Sequence, residues 1–171
     1  MAIRHLAGAA TALGVVAAGT FAVAGPASAG TSAAHHRDHH RTTVTEEVLS
    51  NSALARAARE LVRSALRHGN QRVTMVIMER SGVIRLSEKT VKAGPQTFES
   101  AKRKAYTAVA FGQPTSRLVG NATIEKLPGT LVLPGGVPVI SQGFPIAGIG
   151  VGGAPDGRID EAIANDVLAA L

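Results

Sequence analysis

Arg72-Val73-Thr74-Met75-Val76-Ile77-Met78-Glu79-Arg80-Ser81-Gly82-Val83-Ile84-Arg85-Leu86 decides the fold class. Val73, Met75 and Ile77 alternate with Thr74, Val76 and Met78, the period of two that sends successive side chains to opposite faces of a strand. Both sets are apolar apart from Thr74, so a strand over 72–79 is predicted to be covered on both faces. Arg80-Ser81-Gly82 turns the chain, and Val83 to Leu86 returns as an antiparallel partner. Upstream, Leu54, Ala58, Leu61, Val62, Ala65 and Leu66 recur at helical spacing within Glu46 to His68. Thr43-Val44-Thr45-Glu46 fits a capping box ahead of that helix, and Gly69 is placed to end it. Downstream, Ser87 to Gln96 reads as a polar loop. Thr97 then caps a second helix with Phe98, Ala101, Ala105, Ala108 and Val109 on one face, closed by Gly112 and Pro114. Thr115 to Val119 adds a short helical turn. Leu131 to Leu133, Val137 to Ser141 and Phe144 to Val151 are strand candidates, and Ile159 to Leu171 is a final amphipathic helix. Its first turn holds Asp160 and Glu161, where acids ordinarily serve the helix dipole. Hairpins predominate in the order α-β-β-α-β-β-β-α, which predicts an α+β domain with helices packed on a largely antiparallel sheet.

The N-terminal residues follow a different logic. Residues 1–29 have the pattern of a cleavable signal peptide: Arg4, an uncharged Leu6–Ala24 stretch, Gly25-Pro26, then the small-x-small Ala27-Ser28-Ala29. A secreted or extracytoplasmic product is expected, with no membrane-spanning segment after cleavage. Residues 30–42 form a polar, His-rich tail expected to be disordered, and 43–171 one folded domain. The chain has no cysteine, so disulfides cannot contribute to its stability. Its net charge is +6, from 18 basic and 12 acidic residues, with 3% aromatics. That modest excess does not select nucleic acid, and the scarcity of aromatic rings argues against base stacking.

Ordinary catalytic toolkits are missing. Beyond the tail the folded part has one histidine, His68, at a helix end, so a Ser-His-Asp triad or Cys-His pair is nearly excluded on inventory alone. Gly148, Gly150 and Gly153 satisfy G-x-G-x-x-G, but no second strand carrying an acid follows. The dinucleotide reading fails, and the glycines instead predict a close strand-to-helix approach or a bulge, with a backbone surface open to a ligand as a further reading. His35, His36, His39 and His40 offer four imidazoles that can converge on Zn, Cu or Ni. Arg56, Arg59, Arg63 and Arg67 form one stripe along the first helix, either a solvated face or a holder of anionic groups. Lys102-Arg103-Lys104 point in three directions around a helix.

Ala93-Gly94-Pro95-Gln96-Thr97-Phe98-Glu99-Ser100-Ala101-Lys102-Arg103-Lys104-Ala105-Tyr106-Thr107-Ala108 resembles the GlcG/HbpS family. The resemblance continues through Pro114-Thr115-Ser116, Leu127-Pro128-Gly129-Thr130-Leu131, Gly135-Gly136-Val137-Pro138 and Pro145 to Val151. It closes on Gly153-Ala154-Pro155 and Asp160-Glu161-Ala162, spanning about residues 45–171. It implies a profilin-like antiparallel sheet flanked by helices, and a secreted haem-binding homo-oligomer of the HbpS type in haem or iron capture or protection. Slow haem degradation belongs to the same implication. The alternative is an accessory interaction module for an extracytoplasmic membrane sensor kinase, without ligand chemistry. The resemblance places Thr115 at haem iron. The chain's own inventory adds His68, Tyr106, Met75 and Met78 as possible axial ligands, while the absence of cysteine excludes thiolate ligation. The family's usual Asp-Gly before Gly94-Pro95 is replaced by Val91-Lys92, and its Val-Asp strand ending by Met78-Glu79, so a role for that loop acid does not carry over.

Overall fold

Residues 72–86 fold as the hairpin their alternation predicts, and everything else packs against it. The computed structural model describes residues 44–171. In chain order they form α1 (Asn51–Arg67), β1 (Thr74–Glu79), β2 (Ile84–Lys89), α2 (Gln96–Phe111), a 3-10 turn (Thr115–Leu118), α3 (Ala122–Glu125), β3 (Gly136–Ser141), β4 (Phe144–Gly152) and α4 (Gly157–Ala169). The four strands make one antiparallel sheet in the order β2-β1-β4-β3. The α+β class with helices flanking an antiparallel sheet is the one expected.

The sheet is covered on both faces, as the two apolar sets of β1 require. Met75 and Ile77 face one core with Leu54, Leu61, Ile149, Val151, Ile163 and Val167, contributed by α1, β4 and α4. Val76 and Met78 face the other, with Ala101 and Ala105 of α2. Helix α2 lies close to the sheet because β4 turns Gly148, Gly150 and Gly152 toward it. A Cβ at Gly148 would overlap the Ala105 carbonyl, and one at Gly150 the Ala101 carbonyl. The G-x-G-x-x-G pattern is thus a packing device, in agreement with the expected close approach.

Several boundaries differ from expectation. Helix α1 begins at Asn51, not Glu46, because the Ser50 hydroxyl accepts from Ala53 N at 3.2 Å. Glu47 instead accepts from the Gln142 amide at 2.9 Å, tying the preceding segment to the β3–β4 turn. Thr43, the supposed cap, lies outside the described residues. Strand β2 runs on to Lys89 through Ser87 and Glu88, paired with Val76 and Met75. An edge strand tolerates that polarity. Thr97 is not the cap of α2: Pro95 precedes the helix, and the buried Thr97 hydroxyl donates to Gly94 O at 2.7 Å. Leu131–Leu133 is not a strand. Its flanking backbone groups bond to side chains instead, Leu131 N to Thr107 Oγ1 and Leu133 O to Thr115 Oγ1, both at 2.8 Å. Gly112 ends α2 in the left-handed conformation, as expected.

Candidate functional site

Helix α2 turns one face to the glycine stripe and the other outward. Glu99, Lys102, Arg103 and Tyr106 recur at spacings of three and four, which collects them on that outer side. With Met78 at the end of β1 and the Pro128-Gly129 turn, they line a cavity of about 410 Å³, a volume suited to a small-molecule ligand. Its walls are mainly apolar. Pro128-Gly129 closes one side, with Gly129 at φ 85° beneath the Tyr106 ring, where a Cβ would reach ordinary contact with the ring edge at 3.7 Å. Tyr106 is 41% exposed, so its phenol is reachable, whereas Met78 is nearly buried. Two cations stand at the mouth. Lys102 pairs with Glu99 at 3.3 Å, and Arg103 donates one N–H to Thr130 O at 2.5 Å, leaving its other donors for a ligand.

The third member of the basic run has a different fate. Lys104 is buried, its ammonium donating to Asp160 Oδ2 at 2.8 Å and to Val151 O at 3.0 Å. The other carboxylate oxygen of Asp160 accepts from Ala154 N at 3.0 Å. Burial pushes the Asp160 carboxyl above its ordinary range, and Lys104 together with the Ala154 and Gly153 amides pulls it back. The expectation that Asp160 merely serves the helix dipole is therefore corrected: it anchors α4 to α2. Glu161 likewise has partners, accepting from Ser116 Oγ at 2.7 Å and Gly135 N at 3.3 Å.

The proposed iron ligands do not converge. Thr115 is buried in the 3-10 turn, donating to Leu133 O at 2.8 Å and accepting from Gly136 N at 2.9 Å. His68 ends α1, on the opposite face of the sheet from Tyr106, and its Nε2 lies 3.2 Å from Asp166 Oδ2. The same carboxylate oxygen accepts from Ser64 at 2.6 Å and Arg67 at 2.8 Å, and these bonds hold Asp166 below the usual carboxylate range. Met75 is fully buried in the α1/α4 core. Of the inventory only Tyr106 and Met78 meet in one cavity.

The arginine stripe is divided in use. Arg56 bonds Ala170 O at 2.9 Å and also Leu171 O, and Arg67 bonds Glu60 and Asp166. Among the described residues no cluster of histidine and carboxylate is positioned to hold a metal, and no helix is long and apolar enough to cross a membrane. His35, His36, His39 and His40, like the signal-peptide pattern, lie outside the described residues.

Known proteins share this fold. The family described as haem degrading protein HbpS-like matches residues 49–169. A crystal structure of HbpS superposes with a TM-score of 0.71 at 41% identity, covering 76% of this chain and 94% of that one. A Streptomyces reticuli HbpS with two glutamates changed to aspartate gives 0.70 at 39% identity, covering 87% and 98%. PduOC in complex with haem gives 0.65 at 24% identity, covering 73% and 96%, a likeness of fold alone. No curated protein matches the sequence. With the family's span covering every described element from α1 to α4, the chain belongs to the HbpS-like family.

Proposed function

We propose that this chain is an exported haem-binding protein that captures haem outside the cytoplasm, and that haem enters the Tyr106 cavity. One observation carries the assignment: an apolar cavity that combines a reachable phenol with two cations at its mouth. Haem is a flat apolar macrocycle with two carboxylates and an iron needing a donor atom, and these residues fit it. Tyrosine oxygen is an established iron donor, as in catalase-type ligation. Here the Tyr106 phenol would give up its proton to hold the iron, and Lys102 and Arg103 would hold the propionates. Met78, Pro128 and Gly129 would shield the ring from water. Bound haem would supply the redox chemistry of its iron with oxygen or peroxide, the basis for any slow haem breakdown. Thr115 and His68 are committed to internal partners, which supports giving the iron to Tyr106. Of the other cavities, the one beside the β3–β4 turn is lined by Glu46 and Glu47, which would repel propionates.

Export through residues 1–29 and metal binding by His35, His36, His39 and His40 complete the reading. A signalling contact with a membrane sensor kinase is a further role suggested by the resemblance. The test is a haemin titration followed by absorbance, on the protein with and without residues 30–41. A saturable Soret shift in both, weakened about tenfold or more by Tyr106→Phe, is the expected result. A shift that vanishes on deletion of the tail and ignores Tyr106→Phe would move binding to the histidines. Absence of any shift would remove haem.

A further inference from the structure

A second cavity, of about 440 Å³, opens between the C-terminal half of α1 and the end of β2, away from the Tyr106 site. Its volume falls within the range of small-molecule sites, and its lining is mixed. Val62 and Leu66 of α1 and Val91 of the loop after β2 supply hydrocarbon, while Arg72, Lys89 and Lys92 supply charge. Glu88 is the one acid, so three cations stand against one anion, a net of two positive charges. Among the described residues none of the three cations has an ion-pair partner. Haem binding at Tyr106 leaves this site unexplained.

The walls of the cavity are fixed by the fold. Thr90 Oγ1 accepts from Val73 N at 2.8 Å and donates to Gln71 O at 3.0 Å, fastening the loop after β2 to the connection between α1 and β1. Of the described residues other than glycine, three have a positive φ, and two of them, Asn70 at 57° and Lys92 at 65°, line this cavity. Asparagine adopts that conformation readily, whereas for lysine it is strained, and strain of this kind concentrates at ligand sites. We propose that the cavity binds a phosphate monoester carrying an alkyl chain. At neutral pH such a head group holds close to two negative charges on three acceptor oxygens. That matches the net charge of the lining and lets Arg72, Lys89 and Lys92, arriving from three separate segments, share one ligand. A carboxylate has two oxygens and is satisfied by one guanidinium, which would leave both lysines unpaired. Val62 and Leu66 stand about 6 Å apart along α1, a floor for a short alkyl chain that Val91 completes. A free alkyl phosphate and the head group of a phosphatidic acid both offer this chemistry.

Hexyl phosphate is the probe, titrated into the protein and followed by calorimetry and amide-resolved NMR. Saturable binding is expected, with shifts centred on residues 62–72 and 88–92. Arg72→Gln and Lys92→Gly should each weaken it about fivefold or more, and Tyr106→Phe should leave it unchanged. Lys92→Gly separates ligation from structure, because relief of strain raises resistance to urea while loss of the ammonium lowers affinity. Inorganic phosphate is expected to bind more weakly than hexyl phosphate, and hexyltrimethylammonium not to compete. Undetectable binding at millimolar hexyl phosphate would overturn the proposal. So would shifts centred on Tyr106, equal affinity for inorganic phosphate, or indifference to both substitutions. Vesicles containing phosphatidic acid identify the source. Flotation of the wild type with them, lost in Arg72→Gln along with hexyl phosphate binding, assigns the head group to a lipid. Hexyl phosphate binding without flotation assigns it to a free alkyl phosphate.

Discussion

Removing one member of the Lys104–Asp160 pair should be among the most damaging single changes outside the apolar core. Both side chains are about 3% exposed, so either charge left alone would stand in a low-dielectric interior. Lys104→Met strands the Asp160 carboxylate, though Ala154 N still reaches it. Asp160→Asn keeps that amide contact and strands the ammonium, with only Val151 O remaining. Breaking a buried pair from one side costs about 3–5 kcal/mol. With a urea m-value of about 2 kcal/mol/M, the denaturation midpoint should fall by about 2 M in each single variant. The double variant Lys104→Met/Asp160→Asn removes both charges and leaves a neutral amide to accept from Ala154 N. Its loss should be no greater than that of either single change, giving a coupling energy of about 3 kcal/mol or more. Equilibrium urea unfolding of the wild type, both singles and the double measures this. Additive losses in the double variant, agreeing within about 0.5 kcal/mol with the sum of the singles, would refute the pair as a coupled unit.

Four further outcomes follow from named contacts. Gly150→Ala should destabilise by about 3 kcal/mol or more through forced overlap with the Ala101 carbonyl, and a wild-type melting temperature would contradict the close approach of α2. Lys92 adopts φ 65°, a left-handed conformation that glycine takes without steric cost; Lys92→Gly should raise stability by up to about 1 kcal/mol, relief of left-handed strain less added chain entropy, as read by urea unfolding. Ser50→Ala should cost about 1 kcal/mol as a lost cap on α1, visible as an earlier thermal transition. Asp166 has a depressed carboxyl pKa, so its stabilisation is full above the unfolded carboxylate range and lost as pH falls through the depressed value. The gap in melting temperature between wild type and Asp166→Asn should hold at neutral pH and close in acid; a gap that persists undiminished at low pH would count against this linkage.

Much of the fold could be read from periodicity alone because the elements that define it are strongly patterned. Residues 72–79 are apolar on both sides and the structure covers both, and Gly112 stops α2 where a left-handed residue is needed. Patterns failed where side chains replaced backbone partners. The apolar Leu131–Leu133 run looks like a strand, yet Thr107 and Thr115 take its hydrogen bonds. Ser87-Glu88-Lys89 looks like a loop because an edge strand need not be apolar. At the candidate site, Tyr106 and Met78 were visible as donor types, but their meeting depends on how β1 ends beneath α2. No local signal carries that. The burial of Lys104 was equally hidden: three consecutive cations reach a surface pair, a backbone carbonyl and an interior carboxylate.

The glycine stripe of β4 bears on how this protein can diverge. Gly148 and Gly150 abut backbone carbonyls of α2, which cannot move aside as a flexible side chain would. No larger residue is accessible there by a single codon change without displacing the helix that carries Tyr106. On the other side of the same strand, Ile149 and Val151 sit among aliphatic neighbours that can exchange volume with one another. Adjacent positions thus lie under opposite evolutionary regimes, one frozen and one free to drift. Lineages that relocate the ligand are expected to do so by altering the outer face of α2 and the 128–129 turn, leaving the strand beneath unchanged.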